Sequence, residues 1–193
     1  MLKKLMAVFF CLALFMLSGC SESRRIDTAA LAEDVTVDSI NGQTIYSFYL
    51  LSSDEAPWAI DIPADSFEQA CELARQKYIP NISLPKIKML MINSNIYKQT
   101  MRRDIEYIST QSAFSPIMNV TLCDSGTIKA MKEDKRVPEI IENELRLIKE
   151  DTDRISTNCV SVFNSIVNDK DGFAVSYISS DTELKIDTIN III

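Results

Sequence analysis

Cys20 is the residue best placed to do chemistry, because Leu17-Ser18-Gly19-Cys20 closes an N-terminal apolar run. Lys3 and Lys4 give a positive start, Leu5 to Leu17 form a thirteen-residue apolar stretch, and small residues precede the cysteine. This layout predicts a cleaved secretory signal, with the Cys20 thiol taking a diacylglyceryl group and cleavage falling just before it. The run is shorter than the roughly 20 apolar residues that a membrane-spanning helix needs. One acyl chain binds a bilayer only marginally, at about 0.8 kcal/mol per buried methylene, whereas two give stable anchoring. The alternative is an ordinary signal peptide whose cysteine is incidental, or an uncleaved anchor helix.

Beyond that site the reactive groups thin out. The chain has no histidine, the commonest general base and transition-metal ligand. It has four glycines, Gly19 among them, so no glycine-rich phosphate loop is available. With Cys11 in the signal and Cys20 under lipid, Cys71, Cys123 and Cys159 remain. Their wide spacing fits no zinc or redox motif. They read as buried thiols, with one disulfide, or a reactive or metal-binding thiol, as the alternatives that export leaves open.

Asp169, Asp171 and Asp181 lack the ligand register of a calcium loop and read as a plain turn. Asn81-Ile82-Ser83 and Asn119-Val120-Thr121 have the glycosylation-acceptor form, which means little in a bacterial lipoprotein. Trp58 with Tyr46, Phe48 and Tyr49 reads as strand core rather than as the wall of a ligand cleft. No nucleophile, base and orienting group come together. The chain therefore reads as non-enzymatic, with no catalytic residue, no metal ligand and no cofactor.

Charge narrows the partners. The whole chain has 20 basic and 27 acidic residues, and removal of residues 1–19 takes two lysines, leaving 174 residues with a net charge near −9. An acidic surface repels phosphate backbones and anionic headgroups, so nucleic acid is excluded as a partner and the lipid is expected to do the anchoring. The size suits one large domain or two small ones.

The elements that must carry these residues follow from pattern. Residues 21–33 are polar and small, a tether. Val35 and Val37 alternate with polar neighbours, Asn41-Gly42 makes a turn, and 44–51 is β-branched and aromatic, which predicts a hairpin. Residues 52–64, with Pro57 and Pro63 about Trp58, read as a loop. Asp65 and Glu68 suggest a capping box for a helix burying Phe67, Ala70, Cys71 and Ala74.

A buried strand is expected over 86–93, then a helix capped by Ser94 or Asn95 with Tyr97, Met101, Ile105 and Ile108 inward. Its Lys98, Arg102, Arg103 and Glu106 form a solvated face. A strand over 117–123 and a helix from Thr127 to about Glu133 come next. Helical crossovers between strands imply a partly parallel sheet with helices packed on it.

A charged stretch, 132–136, suggests a boundary before Pro138, which suits a first helical position. The helix it opens should turn Ile140, Ile141, Leu145 and Ile148 inward, and the next, about 156–167, should use Val160, Phe163 and Val167. Two strands, 173–179 and 183–193, close the chain. The final Ile191-Ile192-Ile193 calls for cover on both faces. The expected fold class is α+β, a mixed β-sheet with packed helices plus a small second α+β domain. The expected organisation is signal peptide 1–19, lipidated tether 20–34, N-terminal domain 35–134, and a reduced second domain of two helices and two strands, 135–193.

The order of pieces resembles the N-terminal domain of the Ger(x)C family, the spore germination receptor C-subunit lipoproteins. A helix carrying Ser66-Phe67-Glu68-Gln69-Ala70 through Ala74-Arg75 leads to Leu84-Pro85-Lys86-Ile87-Lys88-Met89-Leu90-Met91-Ile92. Then come a helix with Asp104-Ile105-Glu106-Tyr107-Ile108, a proline-marked bend, the strand Asn119-Val120-Thr121-Leu122 and the helix start Ser125-Gly126-Thr127-Ile128-Lys129. Val37-Asp38 before Asn41-Gly42 fits the hairpin, and Pro138-Glu139-Ile140-Ile141 through 159–167 looks like the start of the family's second domain.

The lipidated cysteine of that family is usually followed by tryptophan and an acidic residue, then by a basic and acidic pair. Here Ser21-Glu22-Ser23-Arg24-Arg25 follows Cys20, and the third domain of the family has no counterpart in the sequence. The resemblance implies a palmitate-type lipid anchor at Cys20 and a place on the outer face of the cell membrane or spore inner membrane. It also implies polytopic germinant-receptor subunits as partners and a role in sporulation and germination. A general extracytoplasmic lipoprotein that binds a small ligand or scaffolds an envelope complex is the other reading.

Overall fold

The computed structural model describes residues 30–51, 58–78, 82–151, 158–168, 172–180 and 183–193. The hairpin forms as expected: β1 (Ala30–Ile40) and β2 (Gln43–Leu51) pair antiparallel around Asn41 and Gly42. Both turn residues have positive φ, 54° and 80°, the geometry that matches the twist of the flanking strands and that Asn-Gly adopts at least cost. β1 carries a bulge between Ala32 and Asp34.

The stretch expected as loop 52–64 contains a strand, β3 (Ala59–Pro63), paired antiparallel with β2. Pro63 is tolerated because β3 is an edge. Helix α1 (Phe67–Leu73) continues into a π-helical turn, Ala74–Tyr78. Its N-cap is Ser66 rather than Asp65: the Gln69 N–H donates to Ser66 Oγ at 3.1 Å, and Gln69 Oε1 accepts from the Asp65 N–H at 2.6 Å. The capping pair is Ser66 with Gln69, one residue beyond the pair read from sequence, and the inward face of Phe67, Ala70, Cys71 and Ala74 is the one expected.

β4 (Ile82–Ser83) pairs with the start of β1, and β5 (Met89–Asn93), buried throughout, runs parallel to β1. Helix α2 (Tyr97–Thr110) starts without a side-chain cap, since Asn95 gives its N–H to Asn93 Oδ1 and Ile96 holds the cap position. It buries Met101, Ile105 and Ile108 as its spacing predicts. β6 (Asn119–Cys123) lies parallel to β5, and α3 (Ser125–Glu133) starts two residues earlier than read, because Asp124 Oδ1 accepts from both the Thr127 N–H and Oγ at 2.7 Å.

Helices α4 (Val137–Asp151) and α5 (Cys159–Val167) and strands β7 (Phe173–Ser180) and β8 (Leu184–Ile191) complete the α+β fold. These are the helices and strands expected of a second domain, but they share the first one's sheet. β7 pairs parallel with β6, giving the order β3-β2-β1-β5-β6-β7-β8. Helices α1, α2 and α5 cover one face of this sheet, and their buried residues join a single core that includes Cys159, Val162 and Val175. Helices α3 and α4 cover the other, packing Ile128, Met131, Ile141 and Leu145 on Tyr49, Met89, Met91 and Ile178. Trp58 and the aromatic strand residues belong to these cores: Tyr46, Phe48 and Tyr49 are fully buried, and the Trp58 indole donates to the Met131 carbonyl at 2.9 Å.

Two inward faces differ from those read. Ile140 is exposed on α4, and α5 turns Val160 and Val167 out while burying Cys159, Val162 and Ile166. The α5 sequence carries two apolar stripes of equal spacing, and its neighbour decides between them: Cys159 faces Ser109 of α2, Sγ to Oγ 3.8 Å. The terminal strand is covered on one side only, with Ile191 buried and Ile192 exposed along the β8 edge.

Cys71, Cys123 and Cys159 are free and buried. Burial pushes the Cys71 thiol up to about 12 and raises those of Cys123 and Cys159 as well. A thiol is nucleophilic only as thiolate. A chain cleaved before Cys20 and with that thiol blocked should therefore give almost no reaction with a chromogenic thiol reagent when native and three equivalents once unfolded; a fast native equivalent would contradict this packing.

Candidate functional site

Cys20 lies outside the described residues; the first of them, Ala30, opens β1. Nine residues lie between the two, and the ten steps from one to the other span at most about 35 Å. Lipidation at Cys20 would therefore hold the end of the sheet where β1 begins within that distance of a bilayer. Because β5, β6 and β7 run parallel to β1, their starts lie at the same end.

That end carries a cleft of about 550 Å³ between the segment before β5, the segment before β6 and the middle of α4. Lys86, Lys88, Glu142 and Arg146 supply its charge, and Ile87, Ile117 and Met118 its apolar wall. Lys88 ties three elements together. Its Nζ sits 3.2 Å from Glu33 of β1 and 3.4 Å from Glu142 of α4, while its backbone N–H donates to the Glu33 carbonyl and its own carbonyl accepts from the Asn119 N–H. Behind it Asp34 is buried in register with Tyr49 and Met89. Burial, reinforced by the neighbouring Glu33, pushes its carboxyl up to about 7 against the opposing pull of Lys88.

A second cleft, of about 480 Å³, lies across the 115–118 loop, between the end of α2 and the start of α5. Ile108, Phe114, Pro116, Val160 and Phe163 make it mainly apolar. The two clefts flank Ile117, which is 75% exposed. Exposed Val160 lies beside it, its N–H directed at the Pro116 carbonyl, and exposed Leu51, opposite Leu31 of β1, marks the same end of the sheet.

The opposite end is polar. Asn93 donates to Asp38 at 2.7 Å and to Ser125 Oγ at 2.9 Å, joining the ends of β1 and β5 to the start of α3. Asp124 accepts from Thr127 and, through Oδ2, from the Ser180 N–H. Burial works against its ionisation, but these hydrogen bonds prevail and its carboxyl lies below the ordinary carboxylate range. Helices leave β5 and β6 toward opposite faces here, the position at which open α/β sheets form a crevice. Its groups bond one another and present no nucleophile with a base.

A third polar cluster is internal. Asp104 of α2 is fully buried and accepts from Tyr46 Oη at 2.8 Å, the Phe67 N–H at 3.1 Å and Arg103 Nε at 3.2 Å. It pins α2 to β2 and to the first turn of α1. Burial raises its carboxyl pKa despite these donors.

Among the described residues no histidine, cysteine and carboxylate group is arranged to hold a metal ion, and no helix is long and apolar enough to cross a membrane. Asp169, Asp171 and Asp181 lie outside the described residues. Sequence patterns missed Lys88, Asp34 and Asp104 because their partners lie on distant segments. The one local signal was an acid, Asp104, in line with the buried face of an otherwise apolar helical stripe. No protein-family model, no curated protein and no solved structure matches this chain.

Proposed function

We propose that this chain is a lipid-anchored, non-enzymatic subunit on the extracytoplasmic face of a membrane, similar to the C component of a nutrient germinant receptor and acting in spore germination. The observation that carries the reading is the order in which the sheet is built: hairpin, α1, β5, α2, β6, α3. That is the succession on which the Ger(x)C resemblance rests, and it begins ten residues beyond the lipobox cysteine. The polar clusters at the far end and around Asp104 have structural partners, which supports a binding or scaffolding role over catalysis. The partners proposed are polytopic receptor subunits in the spore inner membrane.

Crosslinking from the anchored protein in spore membranes tests this. Polytopic subunits should be recovered, and Cys20→Ala should abolish palmitate labelling and release the protein from the membrane while leaving its melting temperature unchanged. Synthesis in vegetative cells, with nutrient-triggered germination unchanged on deletion, would instead favour the general extracytoplasmic lipoprotein. The two clefts beside Ile117 are the feature that gives that second reading a place for a small ligand.

A further inference from the structure

The two edges of the sheet are built differently. β3, at one edge, is five residues long, ends in Pro63 and has its Asp61 held by Lys132 at 2.8 Å. Shortness, proline and charge are the usual means by which an edge is kept from pairing. β8, at the other edge, runs eight residues without proline, and among the described residues β7 alone pairs with it. Its outer row of backbone N–H and C=O groups is a template for one more strand.

The side chains along β8 select the occupant. Leu184 and Ile186 pack with the core on the α3 and α4 face, so Lys185 and Asp187, both exposed, lie on the opposite face with Ile189. We propose that β8 pairs antiparallel with β8 of a second copy of this chain, about a two-fold axis at Ile186, joining the two sheets into one. In that register Ile186 meets its own copy and Leu184 meets Thr188 on one face. On the other face Lys185 stands opposite Asp187 and Asp187 opposite Lys185, two ion pairs from one short segment.

A two-fold pairing can change register only in steps that keep like faces together. One neighbouring register sets Lys185 against Lys185 and Asp187 against Glu183; the other sets Asp187 against Asp187. Of the three, the register centred on Ile186 is the one that opposes unlike charges. Its paired stretch is 183–189, in which Glu183 falls opposite Ile189, and the next acid in sequence, Asp181, lies beyond it. Opposite charges directly across an antiparallel pair stabilise it and like charges destabilise it. The pattern fits a second copy better than an unrelated strand, because a two-fold interface presents the same patch from both sides. The inference does not depend on a lipid at Cys20.

Sedimentation equilibrium of the full chain in density-matched detergent tests the pairing. The parent should sediment at twice the chain mass in the micromolar range. Lys185→Glu and Asp187→Lys should each raise the dimer dissociation constant about tenfold, since two pairs per dimer change sign together. When the two single variants, carrying different tags, are mixed, each should capture the other, because the acidic pair of one chain then faces the basic pair of its partner. The variant with both substitutions should dimerise like the parent.

Two variants that fail alone yet pair together cannot be explained by misfolding. A parent that stays monomeric through the micromolar range would overturn the proposal. So would a dimer that neither reversal weakens, which would assign association to another surface. Reversals that weaken the dimer without restoring it on mixing would overturn it as well.

Discussion

Asp104→Ala should lower stability by about 3 kcal/mol, the largest loss expected from any single truncation in the described polar network. The substitution leaves the Tyr46 hydroxyl and the Phe67 N–H without the acceptor they share, and each buried donor so orphaned costs about 1–3 kcal/mol. Both groups are fully buried, as is Asp104 itself, so water cannot replace the lost oxygen atoms. A domain of this size shifts its melting temperature by about 2–4 °C per kcal/mol, so the midpoint should fall by about 6–12 °C. Asp104→Asn retains the shape and one acceptor and should cost about half as much. Tyr46→Phe, which removes one donor and leaves the others bonded, should cost about 1 kcal/mol. Thermal melts of the three variants give the ranking directly, and an Asp104→Ala midpoint close to that of the parent would refute the pin.

The second large effect has the opposite sign. Asp34→Asn should stabilise the protein by about 2–4 kcal/mol above neutral pH and by much less near pH 4. Folding raises this carboxyl from its ordinary value to about 7, so between about pH 4 and 7 the folded state holds a proton that the unfolded state has released. Stability contributed by the proton is complete below the unfolded value and is lost as pH rises through 7, at about 1.4 kcal/mol per unit. The amide keeps the shape without the charge and so escapes that loss. Urea midpoints of parent and variant across this range isolate the effect, because every other carboxylate titrates alike in both. A difference that stays constant with pH would show that Asp34 is not the titrating group.

What could be read from sequence was whatever a short window decides. Asn41-Gly42 between alternating strands admits one conformation, and the Met101, Ile105, Ile108 spacing admits one inward face. The strand Ala59–Pro63 was hidden because two prolines and a tryptophan within a short run look like a turn, and only pairing with β2 makes it a strand. The α5 face was ambiguous in principle, since Val160, Phe163 and Val167 repeat as regularly as Cys159, Val162 and Ile166. The continuity of the sheet through residues 135–193 was harder still. The ladder between β6 and β7 is formed only after α3, α4 and α5 have passed, and no local pattern announces which strand a distant one will join. Of the candidate sites, Cys20 stood out because a lipobox is contiguous. The Lys88 bridge and the Asp104 pin did not, because Lys88 meets Glu142 across 54 residues and Asp104 meets Tyr46 across 58.

The place of β1 in the sheet also sets how the protein bears load. Any pull on Cys20 is delivered to the beginning of β1, which lies between β2 on one side and β4 and β5 on the other. Traction along that strand must shear its ladders on both sides together, whereas an edge strand pulled sideways would unzip one bond at a time. Under the proposed function, a lipid at Cys20 held only by acyl chains would be the weaker link in such a series. Tension between a membrane and whatever grips the body would then draw the anchor from the bilayer before it unravels the fold.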